Sequence, residues 1–120
     1  MYYTTRSSYG TTGVKTITCG FQPVAMRITV GAKSGLATTT NQKCVGTADG
    51  ARQNYVSTFS DSSFNQTKDS NDKMIRHYEN VAGVLTEVVT GTFDSFTATQ
   101  GKFNLSLANS NYSLTIELWD

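Results

Sequence analysis

Apolar side chains recur at every second position along much of this chain. Met26, Ile28 and Val30 alternate with Ala25, Arg27 and Thr29. Successive strand side chains point to opposite faces, so the first set lies on one face of a strand. Pro23 is the only proline, and its place ahead of this run makes it the start of the strand and not a break in it. The strictest alternation closes the chain: Tyr112, Leu114, Ile116 and Leu118 against Ser113, Thr115, Glu117 and Trp119. Phe103, Leu105 and Leu107 alternate just before it, across Asn109-Ser110-Asn111. Two such runs around a short polar turn predict a β-hairpin.

Weaker signals fill in the rest. VKTITC, from Val14, is a short β run, and KSGLATTTNQ, from Lys33, reads as a loop. Two further β runs flank Ala48-Asp49-Gly50, a strong turn signal. SSFNQTKDSND, residues 62–72, reads as a polar loop. MIRHYENV fits a helical turn or a strand, and its strand neighbours favour a strand. In LTEVVTGTFDSFTAT, Gly91 is expected to mark a bulge or bend, and Thr99-Gln100-Gly101-Lys102 resembles a tight turn. Residues 1–13 carry no sustained pattern. They read as an N-terminal arm or extended lead-in, although Tyr2, Tyr3 and Tyr9 are unusual for a mobile tail. No amphipathic helix of useful length appears. The expected fold is all-β: an antiparallel β-sandwich, jelly-roll-like, of about seven or eight strands over residues 14–120.

Composition narrows this picture. A length of 120 residues suits one domain. Charged residues are only 16%, so polarity comes from 19 Thr and 12 Ser, which solvate the outer face of strands. A net charge of +1 argues against a broad electrostatic grip on nucleic acid or anionic membrane. No leader pattern opens the chain and no apolar run approaches membrane-spanning length. Cys19 and Cys44 match no zinc spacing. A disulfide between adjacent strands is open to them, but two buried reduced thiols are the preferred reading.

Catalytic chemistry finds little support. His77 is the only histidine, and its coincidence with many Ser and Asp residues carries no weight toward a triad. The carboxylates are dispersed, and Asp49, Asp61 and Asp94 suit turns better than a glycosidase pair. Asp69-Ser70-Asn71-Asp72 offers oxygens but lacks the glycine and distal Glu of a calcium loop. No phosphate-binding motif is present, so neither enzyme activity nor a cofactor is expected. Sugar recognition fits better, because it uses aromatic faces beside amides and hydroxyls. The candidates are Asn41, Tyr55, Asn65, His77, Tyr78 and Trp119, each of which also suits a core or a subunit interface.

Gly20-Phe21-Gln22-Pro23 before an apolar strand resembles the opening of small β domains encoded in bacteriophage genomes, often near tail or other virion genes. Gly46 to Gly50 with Arg52, Phe93-Asp94-Ser95-Phe96 and Gly101-Lys102-Phe103 follow in the same order. Val24 departs from the pattern, where Lys is common. The resemblance covers about residues 14 to 118. It implies a virion structural protein assembled in host cytoplasm, most simply a tail-fibre or receptor-binding domain. A lectin-like glycan-binding module and a capsid decoration or head-fibre protein are the alternatives. The expected partners are copies of itself (a homotrimer favoured), other virion proteins and a host cell-surface glycan. The resemblance brings no catalytic residues.

Overall fold

The computed structural model of the chain describes residues 1–31, 40–108 and 112–120. Alternating burial organises ten strands: β1 (Tyr2–Tyr9), β2 (Gly13–Thr18), β3 (Ala25–Val30), β4 (Asn41–Ala48), β5 (Gln53–Ser60), β6 (Asn65–Ser70), β7 (Ile75–Val81), β8 (Val84–Phe96), β9 (Gln100–Leu107) and β10 (Tyr112–Trp119). All pairings are antiparallel. A six-stranded sheet has the order β1-β10-β3-β4-β5-β6, and a four-stranded sheet the order β2-β9-β8-β7. The two pack face to face as a sandwich. The chain crosses between sheets from β1 to β2, β2 to β3, β6 to β7 and β9 to β10, while β3 to β6 and β7 to β9 run as meanders.

Met26, Ile28, Val30, Leu114, Ile116 and Leu118 are fully buried from the larger sheet. They meet Ile75, Val89, Phe103 and Leu105 from the smaller one in a single apolar cluster. The sheets approach closely where side chains are missing. A Cβ on Gly46 would fall 1.5 Å from the Met74 carbonyl oxygen, and one on Gly101 would meet Met26 and Leu118 at 2.6 and 2.7 Å.

The strand count exceeds the expected seven or eight because two polar segments are strands. Residues 2–9 pair along their full length with β10. The 62–72 segment read as a loop contains β6, closed onto β5 by a turn in which Asp61 Oδ1 accepts from Ser63 N and Phe64 N at 2.7 and 2.8 Å. β7 packs against β4 and β5, and β6 lies outside that pair with its side chains mostly exposed. It therefore shows no apolar alternation to read.

The hairpin expected of the last two strands is not formed. β9 pairs with β2 and β8, and β10 with β1 and β3, so consecutive strands lie in opposite sheets. Alternation reports which face of a strand is buried, and that is the same whichever neighbour it pairs with. Gly91 is in regular register with Ile75 and Leu105. The extra residues of β8 are Val88 and Asp94, and the first explains why Val88 and Val89 are both buried. In KSGLATTTNQ, residues 33–39 fall outside the described residues, and Asn41 and Gln42 belong to β4. The Asn109-Ser110-Asn111 turn also falls outside them.

Candidate functional site

One end of the sandwich gathers the β4–β5 turn, the β2–β3 corner and both chain ends. Antiparallel pairing sets Tyr2 opposite Trp119, and Trp119 opposite Ala25. The corner is tied on where Val24 N donates to Trp119 O at 2.9 Å. Trp119 takes the outward position of β10, next to the small Ala25, and remains half-buried. Beside it opens a cavity of about 300 Å³ lined by Ala25, Thr47, Asp49, Arg52, Asn54 and Trp119, among others.

Its polar groups are held in place. Asp49 Oδ1 accepts from Ala51 N and Arg52 N at 3.1 and 2.9 Å, and Arg52 Nη2 lies 3.0 Å from Asp49 Oδ2. These hydrogen bonds, the Arg52 amide's foremost, hold the exposed Asp49 carboxyl below the usual carboxylate range. Thr47 Oγ1 donates to Asn54 Oδ1 at 2.6 Å. Gln53 ties the sheets together: its Oε1 accepts from Phe93 N at 2.9 Å and its Nε2 donates to Asp72 O at 3.2 Å. A second hollow, lined by Ala51, Arg52, Gln53, Asn54 and Asn71, shares this wall, so Arg52 stands on the ridge between the two. In the next row of the sheet, Arg27 grips Glu117 through Nε at 2.5 Å and Nη2 at 2.8 Å, and Tyr2 Oη donates to Glu117 at 2.8 Å. The Arg27 hydrogen bonds depress the Glu117 carboxyl.

No family model, curated protein or solved structure matches the chain.

The six sequence candidates do not converge. Trp119 alone lines the cavity. Asn41 and Asn65 are exposed on either side of Ser60, across β4, β5 and β6, at the opposite end of the sandwich. Tyr55, Tyr78 and His77 are only 3%, 6% and 0% exposed, so of the two readings open to them they take the core placement, away from any surface ligand. Tyr55 faces inward from β5. Tyr78 sits beside the β8 bulge with its hydroxyl 3.4 Å from Glu87 Oε1 and the Lys68 ammonium 4.9 Å from its ring centroid. On a strand, an aromatic residue bound for the core and one bound for a ligand look alike.

His77 packs edge-on to Tyr112, with ring centroids 5.3 Å apart. Neither ring nitrogen has a hydrogen-bond partner among the described residues. Burial pushes its pKa down to about 4, opposed in part by Glu79. The cysteines are free thiols. Cys44 is fully buried, and that burial raises its pKa to about 11. Cys19 is half-buried and donates to Phe21 O at 3.1 Å.

Sequence reasoning named Trp119 but missed the residues around it. Asp49 reads as a turn former, and so it is, with Arg52 bound back to its carboxylate. That the same turn walls a cavity depends on which strand lies beside it, a contact some seventy residues away in the chain.

Proposed function

We propose that this domain is a bacteriophage virion attachment domain, of the tail-fibre or receptor-binding kind, that holds a neutral saccharide of the host surface in the cavity at Trp119 and does not transform it. One observation carries this reading: a half-buried tryptophan borders one cavity together with a fixed carboxamide, hydroxyl, guanidinium and carboxylate. Sugars present an apolar C–H face and a rim of hydroxyls, which suit an aromatic surface bordered by hydrogen-bonding groups. The charged groups here are paired, Arg52 with Asp49 and Arg27 with Glu117. That balance favours an uncharged sugar over a sialic or uronic acid. The phage setting rests on the resemblance around Gly20-Phe21-Gln22-Pro23, whose Phe21 and Pro23 are buried at the corner between β2 and β3.

Trp119 is the only tryptophan, so its fluorescence reports on its own site. Titration with neutral oligosaccharides from susceptible cells should shift its emission saturably. Trp119→Ala, followed by calorimetry, should weaken binding at least about tenfold, or about 1.4 kcal/mol. Asn54→Ala should weaken it less. The isolated domain should also compete with the parent phage for adsorption. Binding unaffected by Trp119→Ala would remove the site. Failure to compete for adsorption would favour a capsid decoration or head-fibre role instead.

A further inference from the structure

A sandwich of this kind has four edge strands: β1 and β6 in the larger sheet, β2 and β7 in the smaller. Each leaves a row of backbone N–H and C=O groups without a strand partner among the described residues, a template on which another chain can pair. Charges turned inward at an edge block such pairing, because an added strand would bury them. Three of the edges carry one. Lys15 on β2 shares its face with buried Ile17, and its ammonium lies 5.3 Å from the Tyr9 ring centroid. Lys68 on β6 is opposite the buried Ser57. Glu79 on β7 shares its face with buried Ile75 and His77 and accepts from Tyr112 Oη at 2.6 Å.

β1 differs. Its inward positions are Tyr3, Thr5, Ser7 and Tyr9, all partly buried and none charged. Tyr3 and Tyr9 pack against the core. Tyr and Thr also favour strands, and all eight residues are in unbroken register with β10.

We infer that the β1 edge is a homotypic assembly surface, where β1 of a second copy adds antiparallel across a two-fold axis and continues the six-stranded sheet. Faces must match across such a pair, so residues of the same parity oppose each other. Two registers place the strand centres together. Centring on Arg6 sets two guanidiniums against each other, which is unfavourable for directly opposed like charges. Centring on Thr5 sets Arg6 against Thr4 of the second copy, and Tyr3 against its Ser7. The second register is therefore the one proposed. The interface is isologous and closed, so it yields a dimer and not the trimer expected from the sequence. It stands independently of the saccharide site.

The test is the mass in solution together with a cross-link at the axis. Light scattering on the full chain at about 100 µM should give twice the 13.1 kDa chain mass. Thr5→Lys gives β1 the inward charge that the other edges carry, and should return the protein to monomer with an unchanged far-ultraviolet spectrum. In a Cys19→Ser background, Thr5→Cys should form a disulfide-linked dimer under mild oxidation, because the introduced thiols face each other on the axis. Ser8→Cys in the same background should not. A monomeric or trimeric wild type overturns the proposal. So does a dimer that survives Thr5→Lys, or one that cross-links through Ser8→Cys and not through Thr5→Cys. If Thr5→Lys fails to fold, the cross-linking pair decides alone.

Discussion

At His77 the chain buries an imidazole that has no hydrogen-bond partner among the described residues, and the consequence is set by sign. The folded-state pKa is about 4, against about 6.5 for an exposed histidine. As pH falls through 6.5 the unfolded chain takes up a proton that the native state refuses until about 4. Stability from this residue is therefore complete above about pH 6.5 and drains away toward pH 4. The loss amounts to about 3.5 kcal/mol, as 2.5 pH units at about 1.4 kcal/mol each. The depressed carboxyls, Asp49, Asp61, Asp72 and Glu117, lose their contributions lower on the scale. Urea midpoints should fall steadily from pH 7 to pH 4.5 in the wild type. They should stay nearly level in His77→Phe, which keeps the edge-on contact with Tyr112 and removes the proton site. Equal slopes in the two proteins would show that His77 is not responsible.

At the scale of elements, the contact between β4 and β7 depends on a missing side chain. The Gly46 position faces the Met74 backbone and not a movable side chain. Gly46→Ala should therefore push the sheets apart and cost about 3 kcal/mol or more, in the range of overpacking. Among the described residues nothing lies within 4 Å of where a Cβ on Gly31 would sit, so Gly31→Ala should change thermal stability little. Comparing the two midpoints separates steric cost from any general effect of removing glycine. Elements are also where the sequence was most and least legible. Met26, Ile28, Val30 and the β10 set were readable because water lies on one side of those strands and the core on the other, which imprints alternation. β6 imprinted nothing, since both of its faces are mostly wet. β1 imprinted little, because its inward face alternates Tyr with Thr and Ser.

On the scale of the whole molecule, the first and last strands pair at one side of the larger sheet. β1 pairs with β10 over all eight of its residues, and the terminal ammonium of Met1 meets the Asp120 carboxylate. Residues 2–9 are thus part of the fold, where a loose arm would be dispensable. Deleting residues 1–9 should strip β10 of one neighbour and uncover the apolar surface beneath Tyr3 and Tyr9. The truncated protein should unfold at clearly lower urea concentration or aggregate, as an exposed edge beside Leu114 and Ile116 favours. An unchanged unfolding curve would return these residues to the status of an arm. The candidate cavity belongs to this scale too, since Trp119, Ala25 and Asn54 meet there only through three successive strand pairings.

By itself the sequence determined the all-β class, the inward faces of its apolar strands, the turn at Asp49 and one residue of the candidate site, because each follows from local preference or two-residue periodicity. Only the tertiary structure decided that β9 and β10 part into opposite sheets, that β1 and β6 are strands, that Tyr55, Tyr78 and His77 are buried, and that Trp119 lines one cavity with Asn54 and Arg52. Those outcomes depend on which distant strand supplies the neighbour. Periodicity along one strand carries no information about its partner across the sheet.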